Sequence, residues 1–169
     1  MNNPTGSRVS IGTLCWLIED AFEGDLSQSL LINLINVRQE DWETLPPGGG
    51  RTIGDILEHV GWCKWMYENY AFGTANLRGD QPPLIPSGGA SSRPHAELLT
   101  WVKEGHYKWL ASVRSLQDDA ELERDRLTNW GEWMKTRTII SIMIGHDYYH
   151  AGEINHLRAL LHSNDRWEY

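Results

Sequence analysis

Ile144-Gly145-His146-Asp147-Tyr148-Tyr149-His150-Ala151-Gly152-Glu153 sits inside a long helical run that the sequence places from about Arg137 to His162. Its two histidines are four residues apart. On a helix that spacing stacks the imidazoles on one face, about one turn apart. With His146 at zero on a wheel of about 100° per residue, His150 falls near about 40°. Ile139, Ile142, Met143, Leu157, Leu160 and Leu161 fall within about 60° of zero. The stripe must face a core, so both histidines are expected at its centre. A buried neutral imidazole needs partners for both ring nitrogens, and a bound metal ion supplies one economically.

Other helical segments cover that stripe. Residues 9–37 are helical in character, either one kinked helix or a short helix followed by a longer one, with Gly24-Asp25 as the break. Pro46-Pro47-Gly48-Gly49-Gly50 is a loop. Thr52 with Asp55 resembles a capping box and starts a helix that runs to about Phe72 and stops at Gly73. Residues 74–93 hold glycines, serines and three prolines and read as a long surface loop, a length often tied to function. Pro94 opens a third helix that runs to about Leu116, with Leu98, Leu99, Val102, Trp109, Leu110 and Val113 on one face. Residues 117–136 are mixed, with a turn at Asn129-Trp130-Gly131-Glu132. No stretch alternates convincingly as a strand. The fold expected is all-α: a four-helix bundle with a long loop between helices 2 and 3.

Bulk properties narrow the function. The 169 residues fit one domain spanning 1–169, with 1–8 as a flexible tail. Net charge is -8 and Lys and Arg are scattered, which argues against nucleic acid as a partner. The polar start MNNPTGSRVS lacks the apolar core of a signal peptide, and no run is long enough to span a membrane. Two cysteines, Cys15 and Cys63, are too few for a disulfide framework and read as reduced thiols of a cytoplasmic protein. The nine tryptophans are expected mostly in the core or in partly buried packing.

His59 lies on the second helix, sharing a face with Thr52, Ile56, Cys63, Met66 and Tyr70. Alone it reads as a satisfied core histidine. Beside His146 and His150 it becomes a third inward imidazole, and three protein ligands with one open position suit catalytic zinc. Cys63, one turn on, reads as packing rather than as a fourth ligand. Glu153 follows His150 by about one turn, as a partner of a ligand, a general base or a core-edge ion pair. Tyr149 falls nearer the stripe than Tyr148, and its hydroxyl could reach a ligand, though packing is the plainer role. His106 borders the apolar face of the third helix, while His95, His156 and His162 read as loop, flank and tail.

The run Pro-Gly-Gly-Gly-Arg-Thr-Ile-Gly-Asp-Ile-Leu-Glu-His59-Val-Gly-Trp resembles the start of the second helix in the DinB-like family. His146-Asp-Tyr-Tyr-His150-Ala-Gly-Glu-Ile-Asn-His-Leu-Arg158 resembles that family's last helix. The likeness extends to Ala-Phe-Glu-Gly at 21–24 and to the loop from Trp42 to Gly50. It implies a four-helix bundle holding one divalent metal, Zn, Ni, Mn or Fe, through His59, His146 and His150. It also implies a homodimer. Family activities are heterogeneous. Some members are thiol S-transferases using bacillithiol or mycothiol, and others are described as metal-dependent hydrolases. The resemblance therefore implies a small-molecule substrate, with a transferase, a hydrolase and a non-enzymatic metal- or ligand-binding bundle all open.

Overall fold

The computed structural model describes residues 6–24, 28–35, 37–78 and 95–162. Five helices are present among them: α1 (Val9–Glu23), α2 (Leu30–Leu34), α3 (Ile53–Ala71), α4 (His95–Arg114) and α5 (Thr136–His162). The four long ones form the bundle. A two-stranded antiparallel hairpin, β1 (Asp125–Leu127) and β2 (Trp133–Lys135), leads into α5. The hairpin corrects the expectation that no stretch of the chain forms a strand, within a fold that is otherwise all helical. Strands of three residues are too short to show alternation. The turn expected at 129–132 joins them, with Gly131 at φ 90°, a region that favours glycine.

The ends of the helices follow local chemistry. Thr52 Oγ1 accepts the N–H of Asp55 at 3.1 Å, and Asp55 Oδ2 accepts that of Thr52 at 2.9 Å. This is the capping box expected for α3. The start of α1 is capped from a distance: Asp119 accepts the N–H groups of Ser10 at 3.1 Å and Ile11 at 2.9 Å. Gly24 closes α1 by donating its N–H to Asp20 O at 3.1 Å. The second piece, α2, is the short one, the reverse of the order expected for residues 9–37. Pro94, Asp25, residues 1–5 of the tail and the 79–93 portion of the long loop lie outside the described residues.

Two glycines bring α3 and α4 close. A Cβ on Gly61 would lie 2.3 Å from Trp101 Cζ3, and one on Gly105 would lie 2.8 Å from Trp65 Nε1. Neither position has room for a methyl group.

The core has two apolar clusters. One gathers Ile53, Ile56, Leu57 and Val60 of α3, Leu98, Trp101 and Val102 of α4, and Ala151, Ile154 and Leu157 of α5. The other gathers Ile11, Cys15 and Ile18 of α1, Cys63, Trp109, Leu110, Val113, Ile139, Ile140 and Met143. Each buried aliphatic or aromatic side chain contributes about 1.5–3 kcal/mol. Between the clusters, at a middle level of three helices, the buried positions are polar: Lys64, His106 and Asp147.

Candidate metal centre

Helices α3 and α5 run antiparallel: Ile53 to Val60 pack with Ala151 to Leu157, and Cys63 further along α3 packs with Ile139 to Met143. His146 and His150 lie one turn apart on α5, and His59 reaches them from α3. Each offers one nitrogen, and the three atoms lie within 4.8 Å of one another. His146 Nε2 is 3.1 Å from His59 Nε2 and 3.2 Å from His150 Nε2. Nitrogens bound about 2.1 Å from one ion sit about 3.0 Å apart at cis-octahedral positions and about 3.4 Å apart at tetrahedral ones. These two spacings fall between, and the third pair stays within 4.8 Å, so this group could hold a metal ion.

Proton counting favours a cation there. Glu153 Oε2 lies 2.8 Å from His150 Nδ1. An ionised carboxylate only accepts, so Nδ1 carries a proton, and in the neutral ring His150 Nε2 then presents a lone pair. His146 Nε2 touches both other Nε2 atoms but can donate to only one of them. A positive ion between the three resolves the crowding of lone pairs. Burial, reinforced by His150, His59 and Lys64, pushes His146 down to about 3. Burial, then His150 and Arg51, also lowers His59. Both imidazoles are thus neutral at neutral pH, the form that binds metal. His146 Nδ1 is buried without a hydrogen-bond partner among the described residues.

The carboxylate–histidine pair is extended outward. Glu153 Oε1 accepts from Arg51, so both of its oxygens are engaged. This places Glu153 behind His150, where it fixes the tautomer and the ring orientation. Tyr149 stands at the rim, 67% exposed, its ring near-perpendicular to that of His150. The Tyr148 hydroxyl turns away and donates to Asp20 at 2.7 Å. Cys63 Sγ is 3.7 Å from His59 Nε2. Burial pushes its thiol up to about 12, so it stays protonated.

The centre is nearer the surface of the bundle than the sequence suggested. His150 is buried, His146 half-buried and His59 exposed. The stripe that faces the core is Ile139, Ile140, Met143, Asp147, His150, Ala151, Ile154, Leu157 and Arg158. Its middle is rotated by about 80° from the stripe centred on His146. Leu160 is 48% exposed, and including it displaced the expected centre. The spacing 140, 143, 147, 151, 154, 158 is the pattern that locates the true face, and it carries Asp147 at its middle.

Asp147 and Lys64 are the residues sequence reasoning missed. Lys64 Nζ donates to Asp147 Oδ2 at 2.7 Å, with the two side chains 1% and 2% exposed. It also lies 3.3 Å from His106 Nδ1, which must accept from an ammonium. His106 stacks on Phe22 at a centroid distance of 3.7 Å. Of the remaining histidines, His95 stacks on Trp42, His156 is exposed, and the side chain of His162 lies outside the described residues. No helix among the described residues is long and apolar enough to cross a membrane.

A family model for the DinB superfamily matches residues 25–154. No curated protein matches the chain.

Proposed function

Since the chain belongs to the DinB superfamily, we propose that it is a metal-dependent thiol S-transferase acting on a small electrophile. The observation that carries the reading is the convergence of three imidazole nitrogens on a half-open side of the bundle. His59, His146 and His150 would hold one divalent ion, Zn, Ni, Mn or Fe. Bound there, the ion supplies a Lewis acid that lowers the pKa of a coordinated thiol, such as bacillithiol or mycothiol. The residues do the rest. Glu153 holds the proton on His150 Nδ1, and Arg51 holds Glu153. His59, exposed at the rim, leaves one side open for the incoming thiol and electrophile. The thiol sulfur bonds to the electrophilic carbon as the bond from that carbon to its leaving group breaks; the leaving group departs with the bonding pair, and the thiol proton leaves to solvent.

This reading is favoured over metal-dependent hydrolysis because both Glu153 oxygens are engaged behind His150, which leaves that carboxylate poorly placed as a base for water. Tyr149 at the rim is the side chain we assign to contact substrate. The same reading takes the protein as a cytoplasmic homodimer.

The test is incubation of metal-loaded protein with a series of low-molecular-weight thiols and 1-chloro-2,4-dinitrobenzene. Conjugation that needs both metal and protein, and that falls at least tenfold in His146→Ala, supports the proposal. Metal-dependent ester or phosphoester cleavage without any conjugation would replace it with the hydrolase. A protein without stoichiometric metal, indifferent to His146→Ala, would leave a ligand-binding bundle.

A further inference from the structure

We propose that the buried Lys64–Asp147 pair is the positioning device of the metal centre. It fixes the rotation of α5 so that His146 and His150 face His59.

The argument starts from the layering of the core. Below and above the level of the site, α3, α4 and α5 are joined by apolar side chains. Such contacts are non-directional. They hold helices together but resist rotation about a helix axis only weakly, because hydrophobic swaps and repacking are tolerated. A metal centre needs more, since its ligands must keep their geometry to within a fraction of an ångström.

At the level of the centre the core changes character. Asp147 follows His146 directly and stands at the middle of the buried face of α5. Its Oδ2 accepts from Lys64 Nζ of α3 at 2.7 Å. Its Oδ1 is buried without a hydrogen-bond partner among the described residues, so Lys64 alone orients the carboxylate. With Asp147 pinned inward, His146 and His150 fall about 100° and about 60° to one side of it on the wheel. Both therefore lie on a single flank, the one that His59 approaches.

Lys64 is itself held. It sits 4.7 Å from the centroid of the Phe22 ring and 3.3 Å from His106 Nδ1. Thus α1, α3, α4 and α5 all contribute to one anchored contact. Lys64 and Asp147 touch no ligand position, and they act through the two histidines beside Asp147.

The test separates positioning from bulk stability. The double variant Lys64→Met with Asp147→Leu removes both charges and leaves apolar side chains, a change that buried ion pairs often tolerate without loss of stability. Zn²⁺ affinity is measured by competition with a chelator, and Co²⁺ absorption reports ligand geometry. Thermal unfolding of the metal-free protein is followed in parallel. The expected result is a 10- to 100-fold loss of affinity, an altered Co²⁺ spectrum and an unfolding midpoint equal to or above that of the parent. Affinity and spectrum unchanged in the folded double variant would overturn the proposal.

Asp147→Asn is the second variant, and it keeps the claim testable if the double variant fails to fold. It preserves the shape and an acceptor oxygen for Lys64. It also leaves the buried Lys64 ammonium without a counter-ion, so α5 loses its anchor. A 10- to 100-fold loss of Zn²⁺ affinity with an altered Co²⁺ spectrum in the folded variant is expected, and parental affinity and spectrum would overturn the proposal.

Discussion

Acidification of the metal-free protein should unfold it in a window set by two buried imidazoles. Burial first, then Lys64 and Arg114, pushes His106 down to about 2. His146 lies at about 3, again mainly through burial. In the unfolded chain both titrate near about 6.5. Between these values the unfolded state binds two protons that the folded state refuses, so stability rises with pH. Above about pH 6.5 the two groups are neutral in both states and cost nothing. Below it each subtracts about 1.4 kcal/mol per pH unit. At pH 4.5 the deficit is about 2.7 kcal/mol per histidine and about 5 kcal/mol for both, against a typical total stability of about 5–15 kcal/mol. Asp147 works in the opposite sense: burial raises its pKa, so the folded state takes up its proton more readily as pH falls. Urea unfolding in chelator, followed by circular dichroism from pH 7.0 to 4.5, measures the slope. His106→Gln, which keeps an acceptor near Lys64, should lower that slope by about 1.4 kcal/mol per pH unit whatever its effect at pH 7. An identical slope in this variant would refute the claim that His106 is held neutral by its surroundings.

Other perturbations separate the parts of the molecule. His59→Ala removes the one ligand from α3 and should abolish stoichiometric metal, read by elemental analysis, while the fold by circular dichroism is kept; full metal content would show that α5 suffices. Glu153→Gln should weaken metal binding about 10- to 100-fold by chelator competition, because it loosens the tautomer of His150; parental affinity would show that Glu153 is only an ion-pair partner of Arg51. Gly61→Ala drives a methyl group into Trp101 and Val102 and should destabilise by about 1–3 kcal/mol or more. Gly12→Ala on α1, with nothing within 4 Å of the added Cβ, should stabilise by about 0.5–1 kcal/mol. Thermal melts of this pair showing shifts of the same sign would contradict the close approach of α3 and α4.

The helices and the three convergent histidines were legible because their signals are periodic or local. The capping box at Thr52–Asp55, the stop at Ala71–Phe72 and the run that became α5 each need only neighbouring residues. The rotation of α5 was not legible, because Leu160 counts as apolar in a stripe but lies half-exposed on the last turns. Lys64 and Asp147 were obscured for a related reason. A charged residue on an apolar face reads as an edge position until its partner, on another helix, is known. The hairpin at 125–135 was missed because its pairing is a matter of backbone register over three residues. Pairing of His59 with His146 was suggested by the resemblance, and its distance belongs to tertiary structure alone.

The cap of α1 has a consequence for the order of events during synthesis. Its first N–H groups are received by Asp119, more than a hundred residues later in the chain. Helix α1 therefore leaves the ribosome without this side-chain cap and must wait for the turn after α4 before its leading end is closed. Helix α1 is thus made well before it is finished, and a nascent chain halted before Asp119 should carry a frayed start to α1 whatever the state of the segments already behind it.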